Sequence, residues 1–348
     1  MKRKIIALVL AVMVIAGLVL VGCAKPAPTP TPSAPIELKM SHFMSAKHVQ
    51  HAQVMAPFAE EVEKATDGRV KITIYPGGAL GKPPEQYQAA VSGITDIAFG
   101  LQCYTAGKFP LTSVLELPCM VTSAEAGSHV LWDLYQEFPE IQAEYPVVKI
   151  LWLWTHDTGQ LVTNKPIRKL DDLKGMKLRC PGAYQTKMIE SWGATPVMMP
   201  ISELYDSMQK GVVDGTVAPL SVIYDFNLYD VSKYVTIGNF YVCTFFMVMN
   251  PDSWDRISAQ DQKIIEGLIG KRMSDKAGAV YDAGAKLGLE TCEEAGIEIY
   301  TLPPDELAKW KTVMMPLDKQ WVADMEAKGL PGEKIYNEAV KLAEKYNK

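Results

Sequence analysis

Ile36 to Ser41 alternates apolar and polar side chains, as a half-buried strand does. His48 to Thr66 then places Val49, Val54, Met55, Phe58, Val62 and Ala65 at helical spacing, with acidic residues on the other face. Asp67-Gly68-Arg69 turns the chain into a strand over Val70 to Tyr75, and Pro76-Gly77-Gly78 with Gly81 makes a loop. The pattern predicts a helix over Pro83 to Val91 and a short buried strand over Asp96 to Gly100. Further strands are predicted over Val147 to Trp154, Leu161 to Asn164 and Met176 to Arg179, the last after a turn at Asp171 to Gly175. Helices follow at about Tyr184 to Trp192 and Ser202 to Lys210. Strands alternating with helices predict α/β layers with mainly parallel pairing. The last third is mostly helical. Ser258, with Asp261 three residues on, forms a capping box for a long helical pattern that runs to about Glu294 with a break at a glycine. A strand at Ile297 to Leu302 and helices over Pro304 to Lys328 and Gly332 to Tyr346 complete the chain. No repeat with a period of roughly 20 to 50 residues is present.

The first 35 residues follow other rules. Lys2, Arg3 and Lys4 precede an uncharged run of 18 residues, Ile5 to Gly22. A run of about 18 apolar residues can span a bilayer. Leu20-Val21-Gly22-Cys23 favours a different outcome, a secretory signal peptide over 1–22 ending in a lipobox. There small residues precede the cleaved bond and the Cys23 thiol takes the lipid. Cleavage removes three cations and takes the formal charge from −5 to −8. Two or more acyl chains then tether the chain stably to the outer face of the cytoplasmic membrane, in the periplasm. Residues 24–35 alternate Pro with small residues, which favours extended polyproline II and reads as a stiff spacer. A PxxP ligand is the rival reading.

Composition narrows the function. With 35 Lys and Arg against 40 Asp and Glu, the chain lacks the basic surface that nucleic acid wants. Six cysteines in 348 residues make no disulfide scaffold. Once Cys23 is lipidated, Cys103, Cys119, Cys180, Cys243 and Cys292 remain, and five is odd, so buried free thiols are expected. The motifs G-x-S-x-G, H-E-x-x-H, G-x-x-x-x-G-K-[ST] and G-x-G-x-x-G are all missing, and with them the usual signs of an enzyme. His48 and His51 share a helix face, but nothing nearby supplies a third metal ligand, so they read as helix-surface histidines. Trp152 and Trp154 face one side of a strand, and Phe240, Tyr241, Phe245 and Phe246 form a second aromatic group. Core packing explains any one of them; a ligand cleft would need several.

A set of short strings then resembles one family. They are Phe58-Ala59-Glu60-Glu61-Val62, Thr66-Asp67-Gly68-Arg69, Tyr75-Pro76-Gly77-Gly78-Ala79-Leu80-Gly81, Gly93-Ile94-Thr95-Asp96-Ile97-Ala98 and Glu116-Leu117-Pro118. The most specific is Thr163-Asn164-Lys165-Pro166-Ile167 with Asp172-Leu173-Lys174-Gly175-Met176-Lys177-Leu178-Arg179, followed by Gly193-Ala194-Thr195-Pro196 and Gly211-Val212-Val213-Asp214-Gly215. In this order they resemble the solute-binding proteins of tripartite ATP-independent periplasmic (TRAP) transporters, of the C4-dicarboxylate-binding type.

The resemblance implies a two-lobed α/β periplasmic-binding-protein fold with crossing strands and a long bracing helix, with ligand held between the lobes. Lobe I is then expected over 36–155 with about 246–280, and lobe II over 156–245 with about 281–348. It implies no catalysis and no cofactor. The partners it implies are a small organic acid and the membrane subunits of a permease. A sensor subunit presenting ligand to a membrane receptor is the alternative, and a lipid-anchored hydrolase a more distant one. The family's carboxylate-gripping arginine falls on Arg179, whose planar fork suits two parallel hydrogen bonds to a carboxylate. Tyr104, His42 and Gln160 are expected as hydrogen-bond donors, and Trp152, Trp154 and Phe240 as walls. Thr155 to Gln160 carries no second arginine, and Thr216-Val217-Ala218-Pro219 puts Val217 and Ala218 where many relatives place polar residues. That combination predicts one carboxylate on an apolar or aromatic body, because the hydroxyls of a sugar acid would be left unpaired.

Overall fold

Every residue of the strand Thr244–Met249 is buried, and a strand with no exposed face needs a packed layer on each side. The computed structural model, which describes residues 34–347, supplies both layers. The signal segment, Cys23 and nearly all of the spacer lie outside the described residues. No helix among the described residues is long and apolar enough to cross a membrane.

In chain order the strands are β1 (Ile36–Ser41), β2 (Val70–Tyr75), β3 (Ile97–Leu101), β4 (Lys149–Thr155), β5 (Gly159–Thr163), β6 (Lys177–Cys180), β7 (Thr195–Met198), β8 (Gly215–Pro219), β9 (Tyr234–Ile237), β10 (Thr244–Met249) and β11 (Glu298–Thr301). One sheet runs β2-β1-β3-β10-β4 and the other β11-β9-β5-β8-β6-β7. Strand alternation sorts the first sheet's core. Trp152, Trp154, Phe245 and Met247 point into one cluster, with Phe58 and Phe99. Leu153, Phe246 and Val248 point into the other, with Val130, Phe138 and Trp321.

Pairing is less parallel than the βα alternation predicts. β10 runs antiparallel to β3 and β4, and β5 antiparallel to β8 and β9. The cause is topological. β4 leaves the first sheet and continues through His156–Thr158 as β5 of the second, while β9 returns through 238–243 as β10. Each strand that arrives from the other lobe enters against the local direction. The two crossings are bonded side by side: Gly159 N donates to Tyr241 O (2.7 Å) and Phe240 N to Gly159 O (3.0 Å).

The helical pattern from Ser258 divides as expected. Ser258 Oγ accepts from Asp261 N (3.1 Å) at the start of the helix Ala259–Glu266. After a break ending at Gly270, whose φ is +74°, the long helix Lys271–Glu294 begins. It touches both lobes through glycines. A Cβ on Gly278 would lie 2.9 Å from Ala124 O in the helix Ala124–Glu137, which covers the first sheet. One on Gly288 would lie 2.1 Å from Leu220 O, beside the helix Ser221–Asp225 that follows β8.

The C-terminal stretch departs from the lobe division expected at 281–348. β11 joins the second sheet and Trp310 packs on Trp192 and Phe240. Pro316 then starts a new helix, Pro316–Glu326, and with the last one, Gly332–Tyr346, it returns to the first lobe. Trp321, Met325, Ile335, Ala339 and Leu342 complete the cluster around Leu134 and Phe138. Their apolar stripe fits that open helix face, a pairing no local pattern announces.

Gly288→Ala is expected to destabilise the protein by about 1–3 kcal/mol, as overpacking does, although helix propensity alone favours Ala by roughly 1 kcal/mol. Urea unfolding of the variant measures this; an increase in stability would mean the helix does not approach Leu220 so closely.

Candidate functional site

The short strand β6 carries Arg179, one residue before its end, deep between the sheets and 2% exposed. Its Nε–H donates to Met199 O (2.9 Å) and its Nη2 to the Tyr104 hydroxyl (3.0 Å). A guanidinium carries five N–H donors, so three are uncommitted among the described residues, and no carboxylate there forms an ion pair with it. Tyr104 comes from the opposite lobe, in the 3-10 turn Gln102–Tyr104 after β3. Its hydroxyl oxygen accepts from both Arg179 and Ile201 N (2.9 Å), which leaves its own proton to donate elsewhere. Burial pushes the Tyr104 hydroxyl up to about 12, so it stays protonated.

These two residues border a cavity of about 30 Å³. Met44, Leu101 and Phe245 come from the first lobe; Pro181, Ile201, Pro219 and Val222 come from the second. His156, Tyr241 and Cys243 come from the crossings, and Tyr281 from the long helix. At about 10–15 Å³ per water, that space admits two or three waters, so a ring-sized ligand requires the lobes to part. A wider cleft of about 470 Å³ opens beside it, sharing Tyr104 and Pro181 and lined by Phe109, Tyr184, Met199, Lys187 and Lys328 among others. The wide cleft has the volume, but its Lys187 already pairs with Asp324 (3.2 Å). The buried guanidinium without a counter-charge marks the smaller cavity as the chemically specific one.

Of the residues expected from sequence, Arg179 and Tyr104 meet here. The others do not. Gln160 is saturated: its Oε1 accepts from Gly238 N (2.8 Å) and Asn239 N (2.9 Å), and its Nε2 donates to Asn239 Oδ1 (2.7 Å). It ties the crossing strands together. Trp152 and Trp154 are core, with Trp154 stacked behind Phe245 at 5.3 Å, so Phe245 forms the wall. Phe240 stacks on Trp310 (5.2 Å), and its neighbour Tyr241 faces the cavity instead. Ala218 is buried in β8 and only the next residue, Pro219, reaches the lining. His42 is buried against Phe99, its Nε2 2.8 Å from His51 Nδ1, and does not line the cavity.

His48 also departs from its expected surface position. It is fully buried, with Nδ1 accepting from Gln50 N (3.1 Å) and Nε2 3.4 Å from Asp225 Oδ2. Sequence reasoning missed Tyr281 and His156 as lining residues. Tyr281 sits on the apolar face of the long helix, and only the helix's placement shows that this face meets the cavity. The hydroxyl of Tyr281 is buried with no partner among the described residues. His156 accepts from Cys243 N at Nε2 (3.0 Å), so its proton sits on Nδ1, which donates to Asp157 O.

Residues 40–324 match the family described as bacterial extracellular solute-binding protein, family 7 (DctP). The chain belongs to this family, whose members are the solute-binding proteins of TRAP transporters. Two solved structures are similar to it at 31% identity. A TRAP solute-binding protein from Rhodoferax ferrireducens T118, with copurified benzoate, has a TM-score of 0.86 and covers 89% of this chain and 98% of its own. One from a marine metagenome, with 3-hydroxybenzoate, has a TM-score of 0.87 and covers 91% and 100%. The C4-dicarboxylate-binding periplasmic protein DctP of Rhodobacter capsulatus is 27% identical over 303 residues, 83% of this chain and 87% of its own. The fold is therefore the two-lobed one of these periplasmic proteins.

Burial, with the other histidines as the smaller cause, holds His42 and His48 down at about 3. A histidine buried neutral adds stability that is complete above its unfolded value of 6.5 and is lost as pH falls towards about 3. NMR titration should leave both rings neutral until the protein approaches acid unfolding; a midpoint near 6.5 for either would contradict its burial.

Proposed function

We propose that this protein captures an aromatic or apolar monocarboxylate between its lobes and hands it to a TRAP permease, without catalysis of its own. The carrying observation is Arg179: a buried guanidinium with three uncommitted N–H groups and no protein carboxylate in reach. A ligand carboxylate would take two of those donors in parallel and the Tyr104 proton on one oxygen. Phe245, Tyr241 and Tyr281 offer flat apolar surface for a ring, and the unpartnered Tyr281 hydroxyl suits a polar substituent on it. The benzoate and 3-hydroxybenzoate bound to the two similar structures support the same ligand class. Because the cavity is smaller than such a ring, capture requires an open state from which closure traps the acid.

Calorimetry with benzoate, 3-hydroxybenzoate, succinate and glucuronate tests the ligand class: the ring acids should bind tightest. Arg179→Ala should weaken them by about 2–5 kcal/mol, roughly 30- to 4,000-fold, and Tyr104→Phe by about 1.5–3 kcal/mol. Wild-type affinity in Arg179→Ala, or a preference for glucuronate, would sink the reading.

The L-V-G-C lipobox supports anchoring at Cys23. Cys23→Ser should release the protein from the membrane fraction into the soluble one on cell fractionation; unchanged membrane association would exclude the lipid as the tether.

A further inference from the structure

All five cysteines of the described region are free thiols. Two of them stand together with a buried acid. β10 pairs with β3 in the register Phe245 opposite Leu101, and the same register carried outward sets Cys243 opposite Cys103. Their sulfurs are 3.9 Å apart. That is well beyond the S–S bond of about 2.05 Å. It is close to the ~3.8 Å between two thiolates on one tetrahedral zinc with Zn–S near 2.3 Å.

Glu116, at the end of the 3-10 segment Thr112–Glu116, brings a carboxylate oxygen within 4.8 Å of both sulfurs. Thr244 orients that carboxylate, donating from Oγ1 (3.2 Å) and from its backbone N–H (3.4 Å) to Oε1. Among the described residues this is the group of three potential metal donors whose atoms converge.

We infer that Cys103, Cys243 and Glu116 form a site for a thiophilic divalent cation such as Zn²⁺. Two sulfurs and one oxygen favour zinc over magnesium or calcium, which want oxygen alone. Three protein donors leave a fourth tetrahedral position for water or an incoming ligand group. Access exists, because Cys103 and Glu116 both line the wide cleft. The site also touches the acid-binding region: Cys103 precedes Tyr104, and Cys243 lines the Arg179 cavity. Loading therefore fixes the turn that carries Tyr104.

The test uses the full mature chain, reduced and stripped of metal, with Co²⁺ as the spectroscopic probe and Zn²⁺ as its competitor. One equivalent of Co²⁺ should give a thiolate-to-cobalt charge-transfer band with tetrahedral d–d absorption, and Zn²⁺ should abolish both. Cys103→Ser and Cys243→Ser should each lose the band, whereas Cys292→Ser, in the distant wall of the second lobe, should keep it. Glu116→Gln should weaken binding by at least roughly 10- to 100-fold, the loss seen for partners one shell further out. No charge-transfer band in the wild-type protein would overturn the proposal, whatever the variants do. So would a band that survives in the Cys103→Ser, Cys243→Ser double variant. Thiol mapping that finds Cys103 and Cys243 linked to each other in protein isolated without reductant would overturn it too.

Discussion

Taking a guanidinium out of water costs several kcal/mol unless opposite charge or well-aimed dipoles replace its hydration. Arg179 is placed under that constraint by β6, a strand of four residues flanked by β7 and β8. What the protein offers in return is modest: one carbonyl and one hydroxyl, both neutral. Acids in the neighbourhood are engaged with other donors. Asp157 Oδ2 accepts from Leu220 N (2.9 Å), and Glu116 from Thr244. Burial also pushes both carboxyls up to about 7, which makes them poor counter-ions. A chain of net charge −5 thus keeps a buried guanidinium without a protein counter-charge, which under the proposed function an incoming anion would complete.

The crossing strands make this arrangement possible. They carry His156, Tyr241 and Cys243 into the cavity wall, and their mutual bonds hold the two sheets at a common seam. Gln160 and Asn239 lock that seam with side-chain bonds. Tyr104 lies across the gap from Arg179, so the one polar contact between them belongs to both lobes at once. An anion there would engage donors from the two sides, which is the differential contact that lets a ligand favour the closed arrangement.

Much of this was legible in the sequence, and the losses have physical causes. Periodicity found most of the strands and the Ser258 cap, because both are local patterns. The lengths of β4 and β5 were readable, but their passage from one sheet to the other was not, since crossing leaves no mark on a two-residue period. The motif around Arg179 singled out a residue that the structure buries at the cavity between the lobes. The aromatic walls were misplaced by one strand or one residue: Trp154 for its cross-strand neighbour Phe245, Phe240 for Tyr241. Apolar character shows that a side chain is buried, but not whether it meets a sheet, a helix or a cavity. Gln160 shows the same ambiguity for polar groups, since an amide that reads as a ligand donor is equally fit to bond a hinge.

The glycines of the long helix carry a mechanical meaning. With Gly278 against Ala124 and Gly288 against Leu220, the helix backbone itself rests on each lobe. Sliding it lengthwise would drive a side chain into either contact, so the helix is clamped at both points. Separation of the lobes with both clamps held would be absorbed as curvature over the nine residues between them. A flexed helix is an elastic element whose hydrogen bonds resist extension. If the helix stayed clamped while the lobes opened, it would act as a leaf spring, and part of the work of opening would fall on its backbone.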